Sequence, residues 1–340
     1  MRTDAESQWC SRTRRLLLVV TWCTIVVGQR AYASTSFRLA REGYSSTSKT
    51  LLVAAKDDPG DPLKSSWLVM YDIGTGSVQH LTIPKNGAPC DFAWAPGRAA
   101  FIVTHYDGMT LFQEDASGHG YTPTEIRCPT GFLYTHCSWS PKAEWLAVKC
   151  LDKRKVIQDR WGRLGLYSVE NKKFVRTRLE IDHRELLWRS DGLLHVTDND
   201  KVLAVGLKAG EPVVVRSVPL EGELTIFYGM FGEQPLFQAF DEIRLGDKTL
   251  IALDKPLKFR VIATEMTAFV AASSTQLVAF DRKGHEIGRT DPEKALVLGS
   301  VGEDPNTVYG LADSVLVRIS AKERNLVIQE VCDLASKLKE

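Results

Sequence analysis

A β-hairpin pattern recurs along this chain about every forty residues, and this periodicity constrains the fold more than any other feature of the sequence. In each copy an apolar run leads through a polar turn into a second run, as residues 68–72 lead through 73–76 into 77–82. Such pairs of runs are typical of hairpins with turn residues at the tip. The spacing of the copies is 36 to 41 residues, apart from one interval of 55, and such a period predicts a repeat architecture. The copies are centred on Tyr71, Phe112, Tyr167, Val205, Arg244, Phe280 and Arg318.

A tryptophan motif precedes several of these hairpins. It reads Phe-Ala-Trp-Ala-Pro-Gly at residues 92–97, and related copies surround Trp139 and Trp188. The tryptophans at 94, 139 and 188 are separated by 45 and 49 residues. Each is followed by a tight turn, whose Pro or Gly sets the backbone, and then by an apolar return strand. We expect each tryptophan to fill the wedge between two neighbouring repeat units.

These motifs resemble those of the TolB-like and WD-repeat-like propeller families, whose blades carry a Trp-Ser-Pro-Asp-Gly type of turn before the second strand. The resemblance covers residues 90–200 and extends by periodicity over 50–330. It implies a ring of four-stranded blades. Seven hairpins therefore predict an all-β fold, a single β-propeller of about seven four-stranded blades. A β-sandwich pair and a β-helix fit less well, because sandwiches lack a regular forty-residue period and β-helix coils are shorter.

The periodicity also suggests the boundaries of the ring. We place the propeller at residues 34–330 and expect a tail or a short helix at 331–340. An open edge strand invites aggregation, so the ring has to close. We expect closure by a shared blade, in which the N-terminal strands at 37–40 and 51–55 join the C-terminal strand at 325–328.

Residues 1–33 have the three parts of a secretory signal peptide. Three arginines lie within residues 12–15, a nearly unbroken apolar run follows at 16–27, and Ala31 and Ala33 supply the small residues of a cleavage site. An uncleaved anchor is the alternative, but a run of this length is shorter than the roughly twenty residues that span a bilayer. We expect a periplasmic or extracellular protein with no stable membrane span after cleavage, exported by either the general or the twin-arginine route.

The cysteines bear on disulfide bonding, and the net charge bears on the class of partner. Five cysteines remain after residue 33, and Cys128, Cys137 and Cys150 fall within 23 residues of one another. In an oxidising compartment this spacing permits one local disulfide among the three, and buried thiols that pack as small hydrophobic groups are the alternative. The formal net charge of +1 gives no support for a nucleic-acid partner.

Loop length separates the two faces of the predicted ring. Turns between the first and second and between the third and fourth strands of a blade share one face and are short in this sequence, whereas the connections on the opposite face are longer. Long loops on a rigid scaffold are a common place for binding. The segment 152–163 is the most distinctive of them, because it is cationic and contains a tryptophan. The candidate ligand-binding or partner-binding residues on this long-loop face are His105, Tyr106, Asp107, His136, Lys153, Arg154, Lys155, Arg160, Trp161 and Arg163.

The sequence carries no recognisable catalytic signature. It has no Gly-x-Ser-x-Gly elbow and no phosphate-binding glycine loop, and His285-Glu286 lacks the second histidine of a zinc motif. We predict no catalytic residue, no metal ligand and no cofactor. Residues 198–200 suggest a turn, and calcium is the ion that their carboxylates would bind if they held one. The sequence thus favours an exported, non-catalytic scaffold that binds another exported or envelope protein, or a small ligand, through its long-loop face. The alternative is a propeller enzyme (a lyase, a lactonase or a glycan-active hydrolase) with its site at the mouth of the central channel.

Overall fold

The protein is a seven-bladed β-propeller. The computed structural model describes residues 35–56, 66–81, 89–105, 108–118, 120–154, 162–182, 186–198, 200–220, 226–252, 260–272, 276–322 and 325–338. Within these ranges every strand belongs to one of seven four-stranded antiparallel sheets, each built from four strands that are consecutive in the chain. We number these sheets blades 1 to 7 in chain order. A helix of four residues, α1, follows the last strand at Leu334–Lys337.

The strand bounds follow the predicted period. Blades 1 to 3 contain β1 Ser36–Ser45, β2 Thr50–Lys56, β3 Ser66–Asp72, β4 Val78–Leu81; β5 Pro89–Trp94, β6 Ala100–His105, β7 Gly108–Glu114, β8 Tyr121–Ile126; β9 Phe132–Trp139, β10 Trp145–Asp152, β11 Gly162–Ser168, β12 Lys173–Ile181. Blades 4 and 5 contain β13 Leu187–Trp188, β14 Leu194–Asp198, β15 Lys201–Lys208, β16 Glu211–Pro219; β17 Ile226–Phe231, β18 Gln234–Ala239, β19 Glu242–Leu245, β20 Lys248–Ala252. Blades 6 and 7 contain β21 Arg260–Ala263, β22 Thr267–Ala272, β23 Gln276–Asp281, β24 Glu286–Thr290; β25 Leu296–Val301, β26 Thr307–Ala312, β27 Val315–Lys322, β28 Asn325–Asp333.

The fold predicted from the repeat is confirmed. All seven hairpin centres fall on the third strand of a blade, from Tyr71 on β3 to Arg318 on β27. The middle strands of a blade are covered on both faces, so they have nearly continuous apolar sequences, as in β2. The fourth strands form the outer edge of each blade and alternate between exposed and covered side chains, as in β28.

The core lies between the blades. Within the described residues it divides into seven clusters of buried side chains, each joining one blade to the next. The predicted role of the tryptophans is seen most directly at Trp139, which ends β9 and is only 3% exposed. Its indole Nε1 donates a hydrogen bond of 3.1 Å to the carbonyl of Ala93 in the preceding blade. Each blade is therefore stabilised mainly by its two neighbours.

The expected shared-blade closure is wrong. The N-terminal strands β1–β4 form one complete sheet and the C-terminal strands β25–β28 form another, so neither blade lacks a strand for the other to supply. The ring closes by face-to-face packing, in which Leu51 and Val53 of blade 1 share a buried cluster with Tyr309 and Leu316 of blade 7. Leu334 of α1 is buried in the same cluster.

Candidate functional site

The first strand of each blade borders the central channel, and β-bulges free backbone groups there. The register shifts by one residue in four of these strands, and such a bulge leaves the extra residue outside the hydrogen-bonded ladder. A positive φ of 45° at His136 fits this geometry. The extra residues are Cys90 in β5, His136 in β9, Tyr228 in β17 and Gly299 in β25.

Strand β1 has a larger irregularity than these one-residue bulges. Leu39 and Tyr44 pair with Val53 and Leu51 of β2, so residues 40–43 stand opposite a single residue of the partner strand. Gly43 makes the tight return possible, because a Cβ at this position would lie 2.9 Å from the carbonyl oxygen of Ala40. The extra length carries Arg41 and Glu42 toward the other first strands.

Arg41 joins blade 1 to the far side of the ring. Its Nη1 donates a hydrogen bond of 2.8 Å to the carbonyl of Tyr228, the bulge residue of β17. Its Nη2 donates to the carbonyl of Ala263 in β21. The backbone carbonyl of Arg41 in turn accepts a bond of 3.3 Å from the Ser300 hydroxyl of β25. One residue of blade 1 thus contacts blades 5, 6 and 7.

Glu42 makes the corresponding contacts with blade 3. Its Oε1 accepts a hydrogen bond of 2.5 Å from the Ser138 hydroxyl, and its Oε2 accepts one of 3.1 Å from the Trp139 amide. The Trp188 amide of blade 4 donates to the same Ser138 hydroxyl at 3.3 Å. Burial raises the pKa of Glu42 from 4.5 to about 7, although both hydrogen bonds and the nearby Arg41 act in the opposite direction. We call Arg41 and Glu42 together the central bridge.

The central bridge borders two cavities. The smaller has a volume of about 30 Å³, room for a water molecule or two, and is also lined by Asp91, His136 and Cys137. Asp91 accepts a hydrogen bond of 3.0 Å from the Cys137 amide there. The larger has a volume of about 620 Å³ and lies among the turns that join the first and second strands of the blades. We call it the mouth cavity.

All seven blades contribute to the mouth cavity. Its apolar wall includes the three tryptophans of the repeated motif, together with two methionines of blades 5 and 6. Its charged groups among the described residues are the central bridge, one further arginine and three carboxylates. The apolar members used below are Trp94, Trp139, Trp188, Met230 and Met266, and the charged ones beyond the bridge are Arg189, Glu265, Glu303 and Asp304.

Three of these charged groups are held by hydrogen bonds, two of them to another blade. Glu265 reaches from the turn of blade 6 to that of blade 4, where its two oxygens accept from the Ser190 amide at 2.8 Å and the Ser190 hydroxyl at 2.9 Å. Arg189 of blade 4 donates to the carbonyl of Gly232 in blade 5. Glu303 of blade 7 accepts a bond of 2.6 Å from the Arg318 guanidinium of the same blade. Contacts between blades therefore fix the wall of the mouth cavity at Glu265 and Arg189, and a contact within blade 7 fixes it at Glu303.

Five of the ten candidate residues of the long-loop face lie in the described part of the chain. His105 is buried, with its Nε2 3.3 Å from the Thr110 hydroxyl, and His136 lines the smaller cavity. The exposed side chain of Arg154 lies 3.1 Å from Asp152, and that of Arg163 lies 3.9 Å from Glu180. The Lys153 amide donates to the carbonyl of Gly131 at 3.1 Å. The candidates outside the described residues are Tyr106, Asp107, Lys155, Arg160 and Trp161, and the signal segment 1–33 lies outside them as well.

The expected local disulfide is not supported. Cys128, Cys137 and Cys150 are all reduced in this structure. Cys137 and Cys150 are buried in the cluster between blades 2 and 3, and burial raises the pKa of both thiols. Both behave as the small hydrophobic groups that the sequence left as the alternative. The described part of the chain contains no group of three or more His, Cys, Asp or Glu side chains placed to hold a metal ion.

Comparison with known proteins adds no family to the architecture. No protein-family model matches the chain, and no curated protein matches it significantly. The resemblance to TolB-like and WD-repeat-like proteins is therefore supported at the level of the seven-bladed propeller alone. Among the described residues, no helix is both long and apolar enough to cross a membrane.

Proposed function

We propose that this protein is an exported, non-catalytic β-propeller that binds a ligand in the mouth cavity. The observation that carries the proposal is the cavity itself, whose volume of about 620 Å³ lies within the range of roughly 300–1,000 Å³ that is typical of sites for organic ligands. Its wall is mainly apolar and its few charged groups converge from different blades, which is also typical of such sites.

The turns that form the wall are already ordered. Backbone hydrogen bonds close them in several blades, for example from Ala95 to Ala100 at 2.8 Å, from Ser140 to Trp145 at 2.8 Å, and from Gly302 to Thr307 at 2.9 Å. A site on such turns requires little ordering when a ligand binds, and this limits the entropic cost of association. Rigidity thus supports a binding function at the mouth cavity.

Glu42 is the observation that favours the alternative, a propeller enzyme at the channel. Burial raises its pKa to about 7, and a carboxyl with a pKa near the working pH suits general acid–base chemistry. However, both of its oxygens already accept hydrogen bonds, from Ser138 and Trp139. This engagement fits a group that holds the ring together better than one that transfers protons to a substrate. Binding is therefore the function that the geometry supports best.

The proposal is tested by blocking the mouth cavity. The mature protein, residues 34–340, is titrated by calorimetry with 1-naphthol, a neutral aromatic probe. Ser46 lines the cavity from the turn of blade 1, so Ser46→Trp is expected to weaken binding at least tenfold. The matched control is Ser217→Trp on the outer strand β16, where the serine is exposed. No measurable binding by the unaltered protein, or equal binding by both variants, would sink the proposal.

Export is tested separately. Production in an export-competent host is expected to yield a chain that begins directly after Ala33, as measured by intact mass and N-terminal sequencing. A full-length chain that stays with the membrane would instead support the uncleaved anchor.

Docking of another exported protein on the long-loop face stays a prediction, and a pull-down with the purified mature chain as bait addresses it.

A further inference from the structure

Within the described part of the chain, two carboxylates at the mouth cavity have no positively charged partner. Asp304 accepts hydrogen bonds from the Asn306 amide at 2.7 Å and the Thr307 hydroxyl at 2.8 Å. Among the residues that the structure describes, Glu265 accepts only from the amide and hydroxyl of Ser190. All of these donors are neutral, and among the described residues no cationic group lies within 4 Å of either carboxylate. Hydrogen bonds of this kind hold a carboxylate in place but leave its charge uncompensated.

The other charged groups at the rim are compensated. Glu303 is paired with Arg318, whose guanidinium contacts one of its oxygens. Arg189 lies 3.6 Å from Asp191. The formal charges of these two pairs cancel, so among the described residues that line the rim the two negative charges of Glu265 and Asp304 remain.

The floor of the cavity does not reverse this balance. Arg41 carries a positive charge there, but its Nη1 and Nη2 are engaged by the carbonyls of Tyr228 and Ala263. Glu42 lies beside it on the same bridge and supplies a negative charge when it is ionised. Both groups lie at the base of the site, whereas Glu265 and Asp304 lie in the turns of the neighbouring blades 6 and 7, on one side of the opening.

The remaining wall is suited to an apolar group. Met266 is 42% exposed and stands next to Glu265 in the turn of blade 6. Trp188 and Met230 continue the apolar surface through blades 4 and 5. An apolar body placed against these side chains would bring an attached cation within reach of the uncompensated carboxylates.

We propose that the mouth cavity selects organic cations, that is, ligands with an ammonium or guanidinium group on an apolar body. The inference rests on the proposed function and adds the class of ligand. Complementary charge at a partly solvent-exposed rim favours the matching ligand over its neutral and anionic analogues, and the preference falls as salt screens the rim. The same chemistry occurs in small amines and in basic protein side chains, so the test separates these two sources.

The test compares three ligands with the same apolar body. The mature protein is titrated by calorimetry, at low ionic strength and pH 7, with 4-phenylbutylammonium, 4-phenylbutan-1-ol and 5-phenylpentanoate. The ammonium compound is expected to bind at least tenfold more tightly than the carboxylate, with the alcohol between them. A short peptide with one lysine, acetylated at its N-terminus, forms the fourth arm; binding stronger than that of the free amine assigns the site to a protein side chain.

Charge-removing variants test the residues. Glu265→Gln combined with Asp304→Asn is expected to weaken binding of the ammonium probe about tenfold and to leave binding of the alcohol unchanged. Glu233→Gln is the matched control, because Glu233 lies in the equivalent turn of blade 5, does not line the cavity and pairs with Arg216. Thermal denaturation checks that each variant is folded, and the two single variants replace the double variant if it is not.

The outcomes separate the two proposals. Equal affinity for the three probes, tighter binding of the carboxylate, or an unchanged preference in the double variant overturns the selection of cations but leaves a binding cavity. Failure of the ammonium probe to bind while 1-naphthol binds has the same meaning. Failure of every probe, 1-naphthol included, overturns both proposals.

Discussion

Replacement of Glu42 by Gln is expected to remove a pH-dependent contribution to the stability of the propeller. In the unfolded chain a glutamic acid loses its proton near pH 4.5, whereas burial raises the pKa of Glu42 in the folded protein to about 7. Between these two values the folded state binds more protons than the unfolded state, so the free energy of unfolding falls as the pH rises. The contribution is fully present below pH 4.5 and is lost as the pH rises through 7.

The size of the effect follows from the same two values. Each pH unit between 4.5 and 7 corresponds to about 1.4 kcal/mol, so the folded protein loses about 3 kcal/mol across this window. The glutamine side chain has nearly the same shape; its oxygen accepts from the Trp139 amide, and its amino group donates to the Ser138 hydroxyl. Glu42→Gln is therefore expected to keep the contacts between blades 1 and 3 and to lose the titration.

Urea denaturation at several pH values between 4.5 and 8.5 measures this difference. The free energy of unfolding of the unaltered protein is expected to fall, relative to that of Glu42→Gln, by about 3 kcal/mol across the series. Taking the difference between the two proteins cancels other titrating groups. Glu293→Gln serves as the control because Glu293 is exposed in the link between β24 and β25. Parallel curves for Glu42→Gln and the unaltered protein would show that the central bridge is open to water and would refute the reasoning.

Two further predictions concern buried side chains. Trp139→Phe is expected to lower the free energy of unfolding by about 1–2 kcal/mol, because the hydrogen bond to the Ala93 carbonyl is lost. Trp94→Phe is expected to lower it by less. Trp94 is only 4% exposed, but its indole nitrogen has no hydrogen-bond partner among the described residues. Urea denaturation compares the two variants, and equal losses would contradict the prediction. His195 is 1% exposed, and burial lowers its pKa from 6.5 to about 4, so below pH 6.5 the unfolded chain takes up a proton that the folded chain rejects. The free energy of unfolding of His195→Leu, relative to that of the unaltered protein, should therefore be higher at pH 5 than at pH 8 by about 2 kcal/mol. If this difference between the two proteins does not change with pH, the prediction is contradicted.

The architecture was predictable because the same local pattern is repeated. Each third strand is covered on both faces and ends in a tight turn, so its apolar run is visible without knowledge of the rest of the chain. The predicted closure failed because a local pattern does not show which sheet a strand joins. The expected strand at 37–40 lies within β1, but β3 and β4 complete blade 1, and the C-terminal strand β28 pairs with β27 in blade 7.

The mouth cavity could not be predicted in the same way. Among the described residues it is assembled from the turns of six blades and from Met230 of β17 in blade 5, and these turn residues are ordinary by themselves. Loop length pointed to the opposite face of the ring, where the connections are longer. The tryptophan motif was the available signal, because the turns that follow Trp94, Trp139 and Trp188 form part of the wall. In the sequence it indicated blade packing alone.

The central bridge explains how this ring does without a shared blade. A propeller closed by packing alone has one interface, here that of blades 7 and 1, whose strands are not connected along the chain. The side chains of Arg41 and Glu42 extend from blade 1 to partners as far as 222 residues away in sequence, in blades 3, 5 and 6. Separating blade 1 from blade 7 would move blade 1 away from these partners as well, so the bridge couples the interface between blades 7 and 1 to most of the ring. The same two residues border the mouth cavity, and the irregularity of β1 that closes the ring also forms part of its binding site.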